Sequence, residues 1–444
     1  MIFLFSEYVL FLVCLFLLFG SVFISFKLRF VQLRLFPLLL KLLKNTFSQK
    51  ATESSSHMIA PHKALFTAMS TTLGIGTIVA PVIAISLGGP GALLGFLLTS
   101  FFGAAATFAE VSLSLQHRTT LPSGIIMGGP MQYLKTLLSP AAAKWYALCC
   151  MVLMMAWSGA QANQLTALLD SPLLGGFRVP CALSGGLIAL FVLLILMGGI
   201  NRIGSFSAKI VPLMFLFYVG SCLWIVGANL DKMGGIFRAM VSSLLSPLPL
   251  ATGICIGGVV SSLRWGIFKA MQTSEAGIGT QTIPHSMAAV ENPEAQATLA
   301  MLSTYTAGFI AFLSGCVALI TQTWQDSQLP LGMSMVAASF HLYFSYFGVG
   351  IITLCSLLFG FGTILGNSYN GSQCYAYLTE NKKAWGYLLA TALMIFIGSI
   401  SETKTFWSFI DIILACMALP HMTALMLYAH RQKHSLKLPN INNI

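Results

Sequence analysis

The chain has 444 residues, 57% of them hydrophobic and only 8% charged, against about 25% charged in an ordinary soluble domain. So few charges cannot cover a water-facing surface of this size, which excludes a soluble globular protein and makes lipid the solvent. The formal net charge of +11 sits at the ends of apolar segments, which excludes a nucleic-acid face and marks membrane topology instead.

Eleven apolar segments are predicted to span, at 8–26, 64–88, 91–116, 145–168, 179–200, 207–229, 254–290, 298–322, 334–365, 384–400 and 405–430, each needing roughly 20 residues. The first is read as a retained span, because no basic stretch precedes it and Lys27, Arg29, Arg34, Lys41 and Lys44 follow it. Residues 27–50 alternate basic and apolar side chains, the pattern of an amphipathic helix lying in the cytoplasmic interface. The segments 254–290 and 334–365 are overlong, so each can hold a span plus an interfacial stretch. With the N-terminus outside and the C-terminus inside, 17 of the 23 Lys and Arg fall in cytoplasmic loops. Four (Arg178, Lys232, Arg238, Lys404) fall outside, and Arg264 and Lys269 lie within the seventh segment.

The second and seventh segments share a feature. One reads Thr71-Thr72-Leu73-Gly74-Ile75-Gly76-Thr77, the other Thr273-Ser274-Glu275-Ala276-Gly277-Ile278-Gly279-Thr280. A Gly-x-Gly flanked by hydroxyl residues at mid-membrane predicts an interrupted helix whose freed backbone groups can meet a polar solute. The restarting half-helix offers N–H groups to a carboxylate, and the half-helix that ends offers carbonyls to a cation. Glycines used only for close helix packing are the plainer explanation of either one alone. The two stand five spans apart, an odd number, so equivalent helices run in opposite directions. An all-α polytopic protein follows: an extra helix and amphipathic segment over 1–63, five-helix repeats over 64–230 and 231–430, and a basic cytoplasmic tail over 431–444.

Three acids fall within spans, and each needs a reason in lipid. Glu275 adjoins the seventh-span interruption and is expected to organise it. Glu110 is expected to form an interfacial ion pair near His117 and Arg118, and Asp411 to have partial access to solvent at the outer end of the last span. Gln161 lies in an apolar helix, where it lines the site or bonds to a neighbouring helix. His285, His341 and His421 have no metal-ligand spacing and read as core residues, while Trp145, Trp265 and Trp407 read as interface anchors. No paired aspartates, serine–histidine pair, zinc set or phosphate-binding loop is apparent, which argues against an intramembrane enzyme or an ATP-driven pump.

Further stretches carry a resemblance: Leu28-Arg29-Phe30-Val31-Gln32-Leu33-Arg34, Leu87-Gly88-Gly89-Pro90-Gly91-Ala92, Phe108-Ala109-Glu110, Gly128-Gly129-Pro130-Met131 and Gln161-Ala162-Asn163. Others are Gly198-Gly199-Ile200-Asn201-Arg202-Ile203-Gly204, Arg264-Trp265-Gly266, Glu275-Ala276-Gly277-Ile278-Gly279 and Thr363-Ile364-Leu365-Gly366. In combination they resemble the alanine/glycine:cation symporter family over nearly the whole chain. The resemblance implies a leucine-transporter-like fold and import of a small neutral amino acid with sodium through the inner membrane; the residues themselves leave two alternatives, a proton with Glu275 as the nearest titratable group, or a substrate sensor on a transporter scaffold. It implies no cofactor and leaves the oligomeric state open. Ile75, Gly76 and Thr77 would meet the substrate carboxylate, with Gly74 beside them. Thr72 and the turn of Ser274, Glu275, Gly277 and Gly279 would hold the ammonium group, and Gln161 would face the site. Sodium would sit between the carbonyls of Ser70, Leu73 and Phe359 and the hydroxyl of Thr363. The chain has Thr77 and Ser274 where the family usually has asparagine, and Gly362 where it has serine.

Overall fold

The computed structural model describes residues 2–48, 58–120, 126–174, 178–196, 199–245, 248–249, 255–256, 258–290, 292–380 and 385–431. The predicted basic tail beyond Arg431, together with Lys50, Lys382 and Lys383, lies outside them. Nearly everything described is helical. The chain opens with α1 (Ile2–Lys27), α2 (Val31–Arg34) and α3 (Phe36–Ser48), then α4 (Pro61–Thr72), α5 (Ile75–Gly88), α6 (Ala92–Gln116), α7 (Pro130–Leu137) and α8 (Pro140–Leu169). It continues through α9 (Cys181–Leu196), α10 (Gly199–Gly227), α11 (Leu230–Leu245), α12 (Gly258–Ser274) and α13 (Thr282–Ser286). It closes with α14 (Pro293–Thr321), α15 (Met333–Leu378), α16 (Trp385–Ile400) and α17 (Thr403–Arg431).

Local chemistry sets several of these starts. Proline opens α4, α7, α8 and α14, where its missing N–H costs nothing. Ser139 Oγ caps α8 by accepting from Ala142 N at 3.1 Å, and Asn292 Oδ1 caps α14 by accepting from Glu294 N at 3.0 Å. Counted across the interruption between α4 and α5, seven described helices are long and apolar enough to cross a membrane, and three apolar helices of 10–17 residues stand at Leu12–Lys27, Cys181–Leu196 and Trp385–Ile400. The predicted segment 254–290 is the interrupted pair α12 and α13.

The distribution of side chains is that of a lipid-solvated protein. Leu183, Leu187, Leu190, Phe191 and Leu194 line the outer face of α9, while Thr71, Thr107, Glu110, Gln161, Glu275, Asn367 and Asn370 are buried inside. Helix α8 packs against α15, α16 and α17, α6 packs against α12 and α14, and α1 covers α6, α12 and α17.

Four sequence expectations change. The predicted segment 334–365 begins as a short helix, turns at Ser345 (φ 53°, ψ −142°) and runs on to Leu378. Residues 230–245, expected in a loop, form α11. Glu110 forms no interfacial ion pair: it is wholly buried, and Arg118 turns instead to the carbonyls of Ser286 (3.3 Å), Ala288 (2.7 Å) and Val290 (3.3 Å). Those carbonyls belong to the stretch that bridges to Ile59 at the foot of α4, so the guanidinium meets acceptors that no local pattern announces. Asp411 is buried rather than partly solvated, because α1 closes over α12 and α17. It accepts from Gln272 Nε2, and Lys269 Nζ donates to Gln272 Oε1 at 3.0 Å.

One crossing is set by glycine alone. A Cβ at Gly266 would collide with the Ala92 carbonyl, and one at Gly95 would fall 2.9 Å from the Gly266 backbone. The obstacle on both sides is main chain, which cannot rotate away as a side chain can. Gly266→Ala is expected to destabilise the folded protein by about 1–3 kcal/mol, read as a lower melting temperature in detergent. Gly350→Ala, where no neighbour lies within 4 Å, is the control and is expected to change little.

Candidate functional site

The first interruption separates α4 from α5. Leu73 (φ −93°, ψ 68°) and Gly74 (φ −100°, ψ −177°) leave the helix, and the chain restarts at Ile75. Its backbone groups are met from nearby. Ile75 N donates to Gln161 Oε1 of α8 at 3.0 Å, Thr77 N to the Gly74 carbonyl at 3.0 Å, and Thr77 Oγ1 to the Thr72 carbonyl at 2.7 Å. A Cβ at Gly74 would fall 2.7 Å from Thr363 Oγ1 and 3.1 Å from Gln161 Nε2, so the absent side chain lets α8 and α15 close on the backbone. Gly76 is the one partly exposed residue between Thr71 and Thr77, and a Cβ there would meet only Thr273 Cγ2 of α12, at 4.0 Å.

The second interruption is longer. After Ser274, Glu275 (φ 52°), Gly277 (φ 77°) and Gly279 (φ 95°) take the left-handed region before α13 begins at Thr282. Glycine accepts that conformation freely, whereas Glu275 holds it at a cost. The Glu275 carboxylate accepts from Thr280 Oγ1 and lies beside the Thr71 hydroxyl, so it ties its own turn to α4. Gln281 Nε2 donates to the Ser274 carbonyl at 2.7 Å, and Asn370 Nδ2 of α15 to the Thr280 carbonyl at 3.3 Å. Tyr146 of α8 donates to the Ile278 carbonyl at 2.8 Å. His421 of α17 bonds to the Gly277 carbonyl through Nδ1 at 2.8 Å and to the Tyr133 hydroxyl through Nε2 at 2.5 Å.

Helix α6 lines the other side. Gly103 faces Ala276, Ala106 faces Gly277, and the Glu110 carboxyl lies beside Glu275 and against the amides of Gly277 and Gly279. Neither Glu110 oxygen has a well-formed hydrogen bond among the described residues, and neither does the buried Ser274 hydroxyl.

The structure therefore brings Thr72, Gly74, Ile75, Gly76, Thr77 and Gln161 to one interruption and Ser274, Glu275, Gly277 and Gly279 to the other, the two meeting at Gly76–Thr273 and Thr71–Glu275. Of the four predicted cation donors, Ser70 and Thr363 converge, with Thr363 Oγ1 donating to the Ser70 carbonyl at 2.9 Å. Leu73 lies next to Gly74, which touches Thr363, and Phe359 next to Gly360, whose Cβ would fall 3.1 Å from Ile75 Cδ1. Sequence reasoning missed Glu110, Tyr133, Tyr146, Asn370 and His421 at the second interruption. For Glu110, Tyr146 and His421 the advance signal was polarity inside an apolar segment, whereas Tyr133 and Asn370 lie outside the predicted segments and had none.

A family model described as the sodium:alanine symporter family matches residues 2–438. The sodium/alanine symporter AgcS of Methanococcus maripaludis is 31% identical over 423 residues, which cover 93% of this chain and 90% of that protein. The probable sodium/glutamine symporter GlnT of Bacillus subtilis is 25% identical over 422 residues, covering 94% and 85%. Among solved structures, MhsT in complex with L-phenylalanine superposes with a TM-score of 0.61 at 14% identity, over 84% of this chain and 89% of that one. A Na+-coupled sialic acid symporter in its substrate-bound outward-open state gives a TM-score of 0.56 at 14% identity, over 93% and 86%. At such identities the likeness concerns the fold alone, which is leucine-transporter-like.

The glycines of the two interruptions are expected to behave differently. Gly76 has room for a methyl group but faces the opposite interruption, so Gly76→Ala should retain the fold, and Gly76→Val should insert normally and lose transport. At Gly277 the φ of 77° and the Met422 side chain both oppose a Cβ, so even Gly277→Ala should lower the amount of folded protein. Membrane abundance measured beside labelled alanine uptake separates the two, and wild-type uptake by Gly76→Val would move the site elsewhere.

Proposed function

The chain belongs to the sodium:alanine symporter family, and from that premise we propose that it imports a small neutral amino acid of the alanine, glycine or serine class together with sodium. The observation that carries this reading is the meeting of two interrupted helices at Gly76–Thr273 and Thr71–Glu275, in a chain whose family is one of sodium-coupled amino-acid transporters rather than enzymes. The solute carboxylate lies at the start of α5, where the helix dipole favours negative charge, nearest Gly76, because the Ile75 amide is taken by Gln161 and the Thr77 amide by the Gly74 carbonyl. Its ammonium group lies toward Thr72 and the 274–279 turn, and Ser274 Oγ, buried and without a hydrogen-bond partner among the described residues, is the hydroxyl placed to accept from it. Gly76 is the open point of the first interruption, its missing side chain facing only Thr273, so main chain can approach a small solute closely there. Alanine, glycine and serine are therefore preferred over leucine and phenylalanine.

Transport proceeds by alternating access between two five-helix repeats of opposite orientation, 64–230 and 231–430, in the inner membrane, with the N-terminus outside. Sodium lies against the Ser70 and Leu73 carbonyls on one side and the Phe359 carbonyl and Thr363 hydroxyl on the other, joining α4 to α15. At Gly362 a serine Cβ would sit 3.6 Å from Ser70 Cβ and 4.0 Å from the Ser70 carbonyl, so the position has room for a hydroxyl that this chain lacks. Sodium is accordingly held more weakly here than with a serine at that position. One observation favours a proton in its place: Glu110 is buried and near enough to Glu275 for the two charges to repel, and two unprotonated carboxylates in the membrane interior are costly.

Uptake of labelled alanine into proteoliposomes tests the whole reading. Sodium gradients should drive accumulation, and excess leucine should compete poorly. Gly362→Ser should raise apparent sodium affinity several-fold, and Thr363→Ala should lower it by about tenfold or more, the loss expected for one charge-assisted oxygen contact. Uptake that survives replacement of sodium by choline and collapses with the proton gradient would overturn the sodium assignment and leave the carboxyl pair as the ion site.

A further inference from the structure

Helix α15 carries a buried amide that none of the roles above employs. Asn367 is fully buried, and neither its Nδ2 nor its Oδ1 has a hydrogen-bond partner among the described residues. Because both ends are free, it does not matter which way the amide is turned. Burying an asparagine with both ends unpaired is costly, and such groups in native proteins are met by water or by a ligand.

Its neighbours on the helix fix where the amide points. Thr363, one turn before it, donates to the Ser70 carbonyl, and Asn370, one turn after it, donates to the Thr280 carbonyl. Residues three and four apart share a helix face, so Asn367 lies on the stripe that runs from the first interruption to the second. Gly360, two turns before it, faces Ile75 and Leu165, and a Cβ at Gly371, one turn after, would meet the Tyr387 hydroxyl of α16 first and then Met154 Cβ of α8 at 3.1 Å. Asn367 thus stands on the face of α15 that meets both interruptions, with α8 beside it. On the α8 side the Gln161 carboxamide is already engaged, its Oε1 taken by Ile75 N. Asn370 Oδ1 is the other buried side-chain atom on this stretch of α15 with no hydrogen-bond partner among the described residues.

We propose that Asn367 is a specificity residue that bonds to the solute's side chain, so that the cargo is a small amino acid with a side-chain hydroxyl, serine ahead of apolar amino acids of the same size. The inference rests on the amino-acid transport reading above and names the substrate within its class. With the carboxylate on α5 and the ammonium group on the 274–279 turn, the solute side chain is left facing α15. A hydroxyl both donates and accepts, and the free amide supplies the matching acceptor and donor. An ethyl side chain of equal size would leave the amide unpaired, which is how a polar pocket rejects an apolar isostere.

Purified protein in proteoliposomes, driven by a sodium gradient, is given labelled serine or labelled 2-aminobutyrate, which differ by a hydroxyl in place of a methyl group. Serine is expected to be favoured by at least about tenfold in kcat/KM. In Asn367→Leu, of similar volume but without hydrogen-bonding groups, the ratio should fall to about one, and Asn367→Ala gives the same reading where the leucine variant does not reach the membrane. Equal uptake of the two solutes by the wild-type protein overturns the proposal and leaves the transport reading standing, as does a serine preference that persists in both variants. Failure to take up serine, alanine, glycine or 2-aminobutyrate under any ion gradient overturns the transport reading, and this proposal with it.

Discussion

An interrupted helix in a membrane exposes amides and carbonyls that lipid cannot satisfy, and the polar side chains gathered at the two interruptions answer that constraint. At the first interruption one carboxamide suffices, Gln161 Oε1 taking the Ile75 amide while Thr77 turns back on Thr72 and Gly74. At the second, three separate helices contribute: Tyr146 from α8 reaches the Ile278 carbonyl, His421 from α17 the Gly277 carbonyl and Asn370 from α15 the Thr280 carbonyl. These side chains sit in otherwise apolar helices because the backbone opposite them has lost its own partners.

The two interruptions differ in kind as a result. The first spans two residues between helices of 12 and 14 residues, with backbone angles open to many residue types. The second has three positive-φ residues between Ser274 and Thr280 and restarts as a helix of only five residues. Its shape depends on surrounding helices rather than on its own helical continuity. His421 illustrates this, since its Nδ1 and Nε2 join the Gly277 carbonyl to Tyr133 of α7, so α7, α17 and the unwound turn are held as one unit.

Much of this architecture was legible in the sequence, for a reason that also marks its limit. The span positions follow from hydropathy, and the interruptions follow from Gly74-Ile75-Gly76 and Gly277-Ile278-Gly279 flanked by hydroxyl residues, all local patterns. What surrounds the interruptions was not legible. Glu110 stands seven residues from His117 and invited an interfacial pairing, but its actual neighbours, Glu275 and the amides of Gly277 and Gly279, are more than 160 residues away. Asp411 met the same fate, because its burial depends on α1, which comes from the far end of the chain. The turn at Ser345 has only Gly348 nearby to announce it, where a Cβ would collide with the Phe340 carbonyl, and α11 carries apolar and charged side chains in a proportion that reads equally well as loop. Gln161 was placed on either of two roles, and its bond to Ile75 N is an interhelical contact made at the site itself.

Gly74 is where ion and solute would be felt together. Its missing side chain admits Thr363 Oγ1 from α15 and the Gln161 carboxamide from α8, and its own carbonyl accepts from Thr77 N. Thr363 meanwhile donates to the Ser70 carbonyl, one turn earlier on α4. A cation that takes the Ser70 carbonyl needs the Thr363 oxygen as a ligand, so the hydroxyl proton must turn away from Ser70. The hydroxyl's nearest backbone is then Gly74, whose neighbour Ile75 presents its amide to Gln161. A cation on one face of the first interruption would then reach the backbone on the other through the contact of Thr363 with Gly74. Coupling by this route requires no long-range motion to carry the signal, only that ligands on the two faces favour the same arrangement of one short, unwound stretch of chain.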